Sequence, residues 1–227
     1  MYNDFALHFM KTIIVIPAFN PTFQLAKLIN EINKLIDNPI LIIDDGSSVP
    51  ISIKKKNLHV IYNEKNKGKG YSLIKAFKYA EIKGFSHAVT LDADFQHDPK
   101  ILPDFLKINR SKDVVIGTRC FNKNMPLHRR FSNILTSLIL SLICKCNIND
   151  SQCGFRRYNI KKVLINNYNE LGFQFESEVL IKLLRNSNIK YQELSIPTIY
   201  SNETSSINNI LDTFRFIKLI FKTLIFK

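Results

Sequence analysis

His87-Ala88-Val89-Thr90-Leu91-Asp92-Ala93-Asp94-Phe95-Gln96-His97-Asp98 joins an apolar run to a cluster of oxygen-bearing side chains. Residues 87–91 read as a buried strand. In extended backbone alternate side chains share a face, so Asp92 and Asp94 are expected to converge at the strand's C-terminal end. Two carboxylates there suit a divalent cation, Mg2+ or Mn2+, held jointly with phosphate oxygens. The alternative is a solvated turn, since Asp is common where strands end. An Asp-x-Asp triplet recurs by chance, so its meaning depends on what surrounds it.

Outward from this stretch, strand and helix patterns alternate. Residues 12–17 form a β-branched run, and residues 21–36 carry helical spacing through Leu25, Leu28, Ile29, Ile32, Leu35 and Ile36. Residues 40–43 and 58–62 predict two more strands, and 114–117 a further buried one. Residues 70–82 and 99–108 read as helices. A period switching between 2 and 3.6 implies an α/β fold: a mostly parallel sheet with right-handed helical crossovers. In such sheets ligands bind outside the carboxyl ends of the strands. Polar clusters fall at five of those ends: Pro17–Pro21, Asp44–Ser48, Asn63–Gly70, Asp92–Asp98 and Gly117–Arg119. One polar strand end is a loop; five in order read as a site.

The chain has 227 residues, enough for one α/β domain with a full core. No repeat or linker interrupts it, so residues 12–206 are taken as a single domain between a tail, 1–11, and a C-terminal helix, 207–227. Its 32 Lys+Arg against 19 Asp+Glu give a net charge of +13, which predicts an anionic partner without choosing among nucleic acid, phosphorylated ligand and membrane. Nucleic acid is disfavoured, because the aromatics sit in apolar runs rather than among the cations and no RNA or DNA motif occurs. Cys120, Cys144, Cys146 and Cys153 form no Cys-x-x-Cys pair. They read as reduced thiols of a cytoplasmic protein, the alternative being a zinc site on Cys144, Cys146, Cys153 and His128. Residues 1–11 lack the apolar region of a signal peptide, and Met10 is a possible alternative start. The apolar stretch 131–144 is interrupted by Ser132, Asn133, Thr136, Ser137 and Ser141 and is too short to span a bilayer.

Jointly the motifs carry a resemblance. Ile14-Val15-Ile16-Pro17-Ala18-Phe19-Asn20, Ile43-Asp44-Asp45-Gly46-Ser47, Asn66-Lys67-Gly68-Lys69-Gly70 and Leu91-Asp92-Ala93-Asp94 occur in the order and spacing of family 2 glycosyltransferases. Gly117-Thr118-Arg119, Arg129-Arg130, Asp150–Arg156 and Phe175-Glu176 extend the likeness toward the polyprenyl-phosphate sugar synthases, of the dolichyl-phosphate mannose synthase kind. It covers residues 12 to 197. The resemblance implies a GT-A fold and a metal-dependent, inverting transfer of a hexose from a nucleotide-diphosphate sugar to a polyprenyl phosphate.

Residue by residue, Pro17 and Phe19 resemble the loop lining the base, with Phe19 where the family usually has Tyr. Asp44 or Asp45 resembles the carboxylate that reads base or ribose, the other being left to cap a turn. Lys69, between glycines at a helix start, suits a diphosphate; a solvated Lys-Gly loop is the competing reading. Asp92 and Asp94 match the metal pair, with Ala93 between them on the nucleotide-sugar side and Gln96 as the neighbouring amide ligand. His97 and Asp98 read as turn and cap residues ahead of Pro99. Arg119 and Arg130, or Arg129 in place of the latter, resemble arginines that grip phosphate with a bidentate fork. Gln152, Gly154, Arg156 and Glu176 resemble the acceptor side. The chain departs from the mannose synthases in reading Asn20-Pro21 after the first strand and in lacking the basic residues expected after Pro197, which leaves sugar and base open.

No histidine base stands out, which suits a phosphate acceptor; a hydroxyl acceptor on a glycan or glycolipid would need one, Glu176 or a carboxylate near Asp98. In residues 207–227, Ile207, Ile210, Phe214, Ile217, Phe221, Leu224 and Ile225 form an apolar arc beside Arg215, Lys218 and Lys222. Such a helix either lies in an anionic membrane interface or packs on its own domain. The first option places the protein at the cytoplasmic face of a membrane, with residues 131–144 as a second contact.

Overall fold

The computed structural model describes residues 11–119, 127–197 and 209–225. Seven strands form one sheet in the order β3-β2-β1-β4-β6-β5-β7. They are β1 (Thr12–Ala18), β2 (Ile40–Asp44), β3 (Leu58–Tyr62), β4 (His87–Thr90), β5 (Val114–Arg119), β6 (Arg156–Asn159) and β7 (Tyr191–Ile196). β1 pairs in parallel with β2 and β4, β2 with β3, and β5 with β7. β6 runs antiparallel to both β4 and β5. The expected α/β architecture with a mostly parallel sheet is what the chain adopts, and the strands expected at 12–17, 40–43, 58–62, 87–91 and 114–117 are present within two residues.

Every residue of β2 is buried, as are all but Pro17 of β1. This two-sided burial explains why their sequences are unbroken apolar runs rather than alternations. The covering helices are α1 (Gln24–Leu35), α2 (Lys69–Ile82), α3 (Leu102–Lys107), α4 (Leu127–Cys144), α5 (Ile160–Leu164), α6 (Phe175–Leu184) and α7 (Asn209–Ile225). α1 buries Leu25, Leu28, Ile29 and Ile32 in the core. A short 3-10 turn, Pro99–Ile101, leads into α3 and is capped by the Asp98 carboxylate, which accepts from the Lys100 N–H at 3.0 Å.

Two helices are unusual. The inward line of α4 is Asn133, Ser137, Leu140 and Cys144, whereas Phe131, Ile134, Leu135, Leu138 and Leu142 are 44–71% exposed. Two of the polar residues that interrupt stretch 131–144, Asn133 and Ser137, therefore face the protein, while five of its large apolar side chains face out. α7 packs through Phe216, Leu219 and Ile220, leaving Phe214, Ile217 and Phe221 exposed. Of the arc expected on this helix, Phe214, Ile217 and Phe221 are thus on its outer side with Arg215, Lys218 and Lys222, while Ile207 and the side chains of Ile210, Leu224 and Ile225 lie outside the described residues. Packing on the domain and an outward apolar face are both realised, by different residues. Among the described residues no helix is long and apolar enough to cross a membrane.

Candidate active site

The loops after β1, β2 and β3 are stitched together at the carboxyl edge of the sheet. The Asn20 N–H donates to Ser47 Oγ at 2.8 Å, and the Ser48 N–H donates back to Asn20 Oδ1 at 2.8 Å. Asn20 sits in the left-handed region, φ 46°, a conformation Asn tolerates better than most residues. Asp44 and Asp45 are both buried and engaged in this stitching. Asp44 accepts from the Ser47 and Ile51 N–H groups, each at 2.9 Å. Asp45 accepts from Asn63 Nδ2 at 2.6 Å and from the N–H groups of Lys67 and Gly68 at 3.0 and 2.8 Å. Either was expected to read a base or ribose; here both carboxylates accept hydrogen bonds that brace these loops. Pro17 is half-buried beneath this rim and Phe19 is 49% exposed at its lip.

Asp45 thereby positions Lys69. Gly68 has φ +98°, and a Cβ there would run into the Leu171 carbonyl, so the loop lies directly on the segment leading into α6. The next residue, Lys69, begins α2 and turns its ammonium inward. Its Nζ is 2.6 Å from Asp92 Oδ1 and 3.0 Å from Glu176 Oε2. Burial disfavours the charged lysine, but Asp92 and Glu176 outweigh it and raise its pKa. Glu176 Oε1 is buried and has no hydrogen-bond partner among the described residues.

The Asp92/Asp94 pair departs from the expected geometry. β4 ends at Thr90, and Ala93 and Asp94 lie on a turn rather than on a continued strand. Phe95 takes φ 61°, an uncommon value for an aromatic residue, and Asp94 Oδ1 accepts from the Gln96 N–H at 3.0 Å. The carboxylates are nevertheless neighbours. Burial and then the charge of Asp92 raise the Asp94 pKa. For the half-buried Asp92 desolvation acts upward, but Lys69 and His97, whose Nε2 lies 3.7 Å from its Oδ2, hold the carboxyl low. The sequence reading passed over this role of His97, because nothing in a turn's composition says which way its ring points. Ala93 and Gln96 are half-buried on the same turn.

Gly154 abuts the pair: a Cβ there would fall inside the Asp92 carboxylate. Arg156 is buried completely. Its Nε donates to Cys153 O at 2.6 Å, Nη2 to Ser151 O at 2.6 Å, and Nη1 to Glu176 O at 2.9 Å. It fixes the 151–154 segment and α6 from within rather than presenting a guanidinium outward. Gln152 is exposed, its amide 3.2 Å from Thr136 Oγ1 of α4.

Arg119 also differs from expectation. Its fork lies on Asp150, Nε to Oδ2 at 2.7 Å and Nη2 to Oδ1 at 2.9 Å, where a phosphate was expected. Asp150 is fully buried; burial raises its pKa, and Arg119 and Asn133 more than offset this, so it stays below the ordinary carboxylate range. Sequence reasoning did not single out this bridge, since Asp150 is 31 residues from its partner. Arg130 is exposed on the first turn of α4, and the side chain of Arg129 lies outside the described residues.

Mg2+ characteristically takes one or two carboxylates plus substrate phosphates rather than an all-protein cage. Two adjacent, mutually repelling carboxylates with an amide nearby fit such a shared hard cation. Among the described residues no group of three or more His, Cys, Asp or Glu side chains is arranged to hold a metal. For the alternative zinc site, Cys144, Cys146 and Cys153 form no such group among the described residues, and Cys120 and the His128 side chain lie outside them.

The model of Glycosyl transferase family 2 matches residues 13–175. The UDP-N-acetylglucosamine–dolichyl-phosphate N-acetylglucosaminyltransferase of Methanococcus voltae is 31% identical over 215 residues, covering 83% of this chain and 85% of that protein. The undecaprenyl-phosphate mannosyltransferase of Micrococcus luteus is 23% identical, covering 78% of this chain and 79% of its own. In fold, the chain is similar to glucosyl-3-phosphoglycerate synthase of Mycobacterium tuberculosis, crystallised with Mn2+, UDP and phosphoglyceric acid. That likeness has a TM-score of 0.70 at 15% identity and covers 99% of this chain and 81% of that one.

Proposed function

We propose, for a chain that belongs to glycosyl transferase family 2, that it moves a hexose from a nucleotide-diphosphate sugar to a polyprenyl phosphate at a membrane surface. The observation that carries the reading is the gathering of Asp92, Asp94 and Lys69 at the carboxyl edge of β1–β4, where α/β sheets take their ligands. The relatives named for dolichyl- and undecaprenyl-phosphate transfer support the class of acceptor.

Asp92 and Asp94, with the Gln96 side chain, would hold Mg2+ or Mn2+. Bound there, the ion would offset charge growing on the departing diphosphate, the largest stabilisation such a displacement needs. The rim from Pro17 to Phe19 receives the base, and Asp44 and Asp45 keep that rim and the Lys69 loop in register. Lys69 supplies a cation toward the diphosphate, and Arg130 is the exposed guanidinium assigned to phosphate. Arg119 serves by fixing Asp150 and the segment that carries Gln152 and Gly154.

A phosphate acceptor with a second pKa near about 6 is already a nucleophile at neutral pH and attacks the anomeric carbon in a single displacement, with inversion. The geometry favours it over a hydroxyl acceptor. Glu176, the base a hydroxyl would call on, is ion-paired with Lys69, and Asp98 is capping a helix turn.

The lipid reading draws its support from the outward apolar face of α4 and the exposed Phe214, Ile217 and Phe221 of α7. Arg130, Arg215, Lys218 and Lys222 are exposed on the same two helices. Apolar side chains facing out beside cations suit an anionic interface, and the polyprenyl acceptor resides there. The protein then works from the cytoplasmic face as a peripheral enzyme. The test is transfer of radiolabelled hexose from a panel of nucleotide sugars into a polyprenyl phosphate, with and without a chelator. Label partitioning into the lipid phase only with Mg2+ or Mn2+ is the expected result; label moving to a hydroxyl glycan instead would overturn the acceptor.

A further inference from the structure

We propose that Lys69 is a resident counter-cation that competes with the divalent metal for Asp92, and that Glu176 is the positioning residue that receives its ammonium when the metal and a nucleoside diphosphate bind. The proposal rests on the metal reading above and adds an order of events to it.

Lys69 Nζ is shared between two carboxylates of different standing. One, Asp92 at 2.6 Å, belongs to the pair suited to a metal; the other, Glu176 at 3.0 Å, does not. The lysine side chain is 13% exposed, so water screens this contact poorly. A divalent ion and an ammonium cannot both keep contact with Asp92 Oδ1, because like charges at that separation in a partly buried site repel strongly. Binding the metal there therefore requires the ammonium to leave, and it has a prepared destination. Glu176 is 7% exposed, and its second oxygen, Oε1, has no hydrogen-bond partner among the described residues. An ammonium has three donors, so a small rotation lets it engage both Glu176 oxygens while a remaining N–H turns to phosphate.

Charge counting gives the order. Asp92, Asp94 and Glu176 against Lys69 give the cluster by itself a formal charge of −2. A divalent metal brings it to neutral and so removes the repulsion that the negative cluster exerts on a diphosphate. Metal and nucleotide should thus bind with positive coupling, each strengthening the other, and Lys69 is the residue through which they sense one another. Gly68 and Asp45, which fix the start of α2, hold the pivot still while the side chain moves.

The experiment is Mn2+ binding to the full chain, followed by the electron paramagnetic resonance of free Mn2+, without nucleotide and with UDP or GDP, with solution complexation subtracted. Wild type is expected to bind Mn2+ weakly unless a nucleotide is present. Lys69→Met should bind Mn2+ about tenfold more tightly in the absence of nucleotide, and the gain that nucleotide confers should shrink, within the range coupled sites generally show. Lys69→Arg, which keeps the charge, should not show the gain. Lys67→Met removes one charge nearby without touching Asp92 and should leave Mn2+ affinity within about twofold, separating displacement from a general field effect. Glu176→Gln should weaken Mn2+ binding in the wild-type background and have little effect alongside Lys69→Met, because Glu176 acts through the lysine. If Lys69→Met fails to fold, Lys69→Met with Glu176→Gln removes one charge of each sign and carries the same expectation. Mn2+ affinity unchanged by loss of Lys69, or raised equally by Lys67→Met, overturns the proposal while leaving the metal site intact. A wild type that binds no Mn2+ even with nucleotide overturns the metal reading itself.

Discussion

Asp150→Asn is the sharpest probe of how the acceptor-side segment is held. Five donors converge on this fully buried carboxylate. They are Arg119 Nε, Nη2 and N–H at 2.7, 2.9 and 3.2 Å, Asn133 Nδ2 at 2.7 Å and the Gln152 N–H at 3.3 Å. Asparagine keeps one acceptor oxygen and turns an NH2 toward groups that can only donate. It also removes the carboxylate charge that faces the Arg119 guanidinium, which is 16% exposed. Breaking one side of a buried pair costs about 3–5 kcal/mol. For a chain of this size a kcal/mol corresponds to roughly 2–4 °C in Tm, so the expected fall is about 6–20 °C.

Circular dichroism melts of wild type and variant across pH 3–8 check this. Because the folded pKa of Asp150 is depressed, its stabilisation is fully present above the unfolded value near about 4 and is lost as pH falls through the folded value. The gap between the two proteins should therefore be constant from pH 8 to about 5 and narrow below about 4. A variant melting within 2 °C of wild type at pH 7, or a gap that widens with acid, would refute the buried fork as the reason this segment holds its shape.

Asp94→Asn should leave Tm nearly unchanged while hexose transfer falls by orders of magnitude, since a ligand that stabilises developing charge is lost; transfer at the wild-type rate with metal chelated would be the opposite result. Gly154→Ala forces the Asp92 carboxylate aside, so transfer should drop sharply in radiolabel assays with only a modest change in melting temperature. Arg119→Lys keeps a charge but loses the fork on Asp150, so calorimetry should record a stability loss alongside reduced turnover, not turnover loss by itself. For the membrane, changing Arg215, Lys218 and Lys222 to Gln should weaken binding to anionic vesicles and flatten its salt dependence, at roughly 1 kcal/mol per cation. Changing Leu138 and Leu142 to Gln should instead remove a salt-resistant part, read by sedimentation with vesicles at high salt.

The sequence by itself determined the alternation of β1, α1, β2, β3, α2 and β4, because both-face burial writes each central strand as an apolar run and each helix as a 3.6-residue stripe. It also placed the polar residues at strand ends, and with them Asp92, Asp94 and Lys69. β6 and β7 escaped it. β6 is four residues, Arg-Arg-Tyr-Asn in sequence, and its two buried arginines look like surface until the carbonyls they serve are known. β7, at the sheet edge, is mostly half-buried and mixes Tyr191, Gln192 and Glu193 with Leu194, so its pattern is weak.

What a carboxylate or guanidinium does with its charge was decided only by tertiary structure. Asp45 braces a loop 22 residues away, Arg119 forks onto Asp150 and Arg156 spends its donors on buried carbonyls. The outward apolar face of α4 likewise emerges only because Asn133 and Ser137 find partners inward, at Asp150 and Ser151. Hydrophobic periodicity is a property of neighbours along the chain and survives in the sequence. A hydrogen bond or ion pair is a property of two atoms meeting within about 3 Å, and which atoms meet is settled by the packing of distant segments.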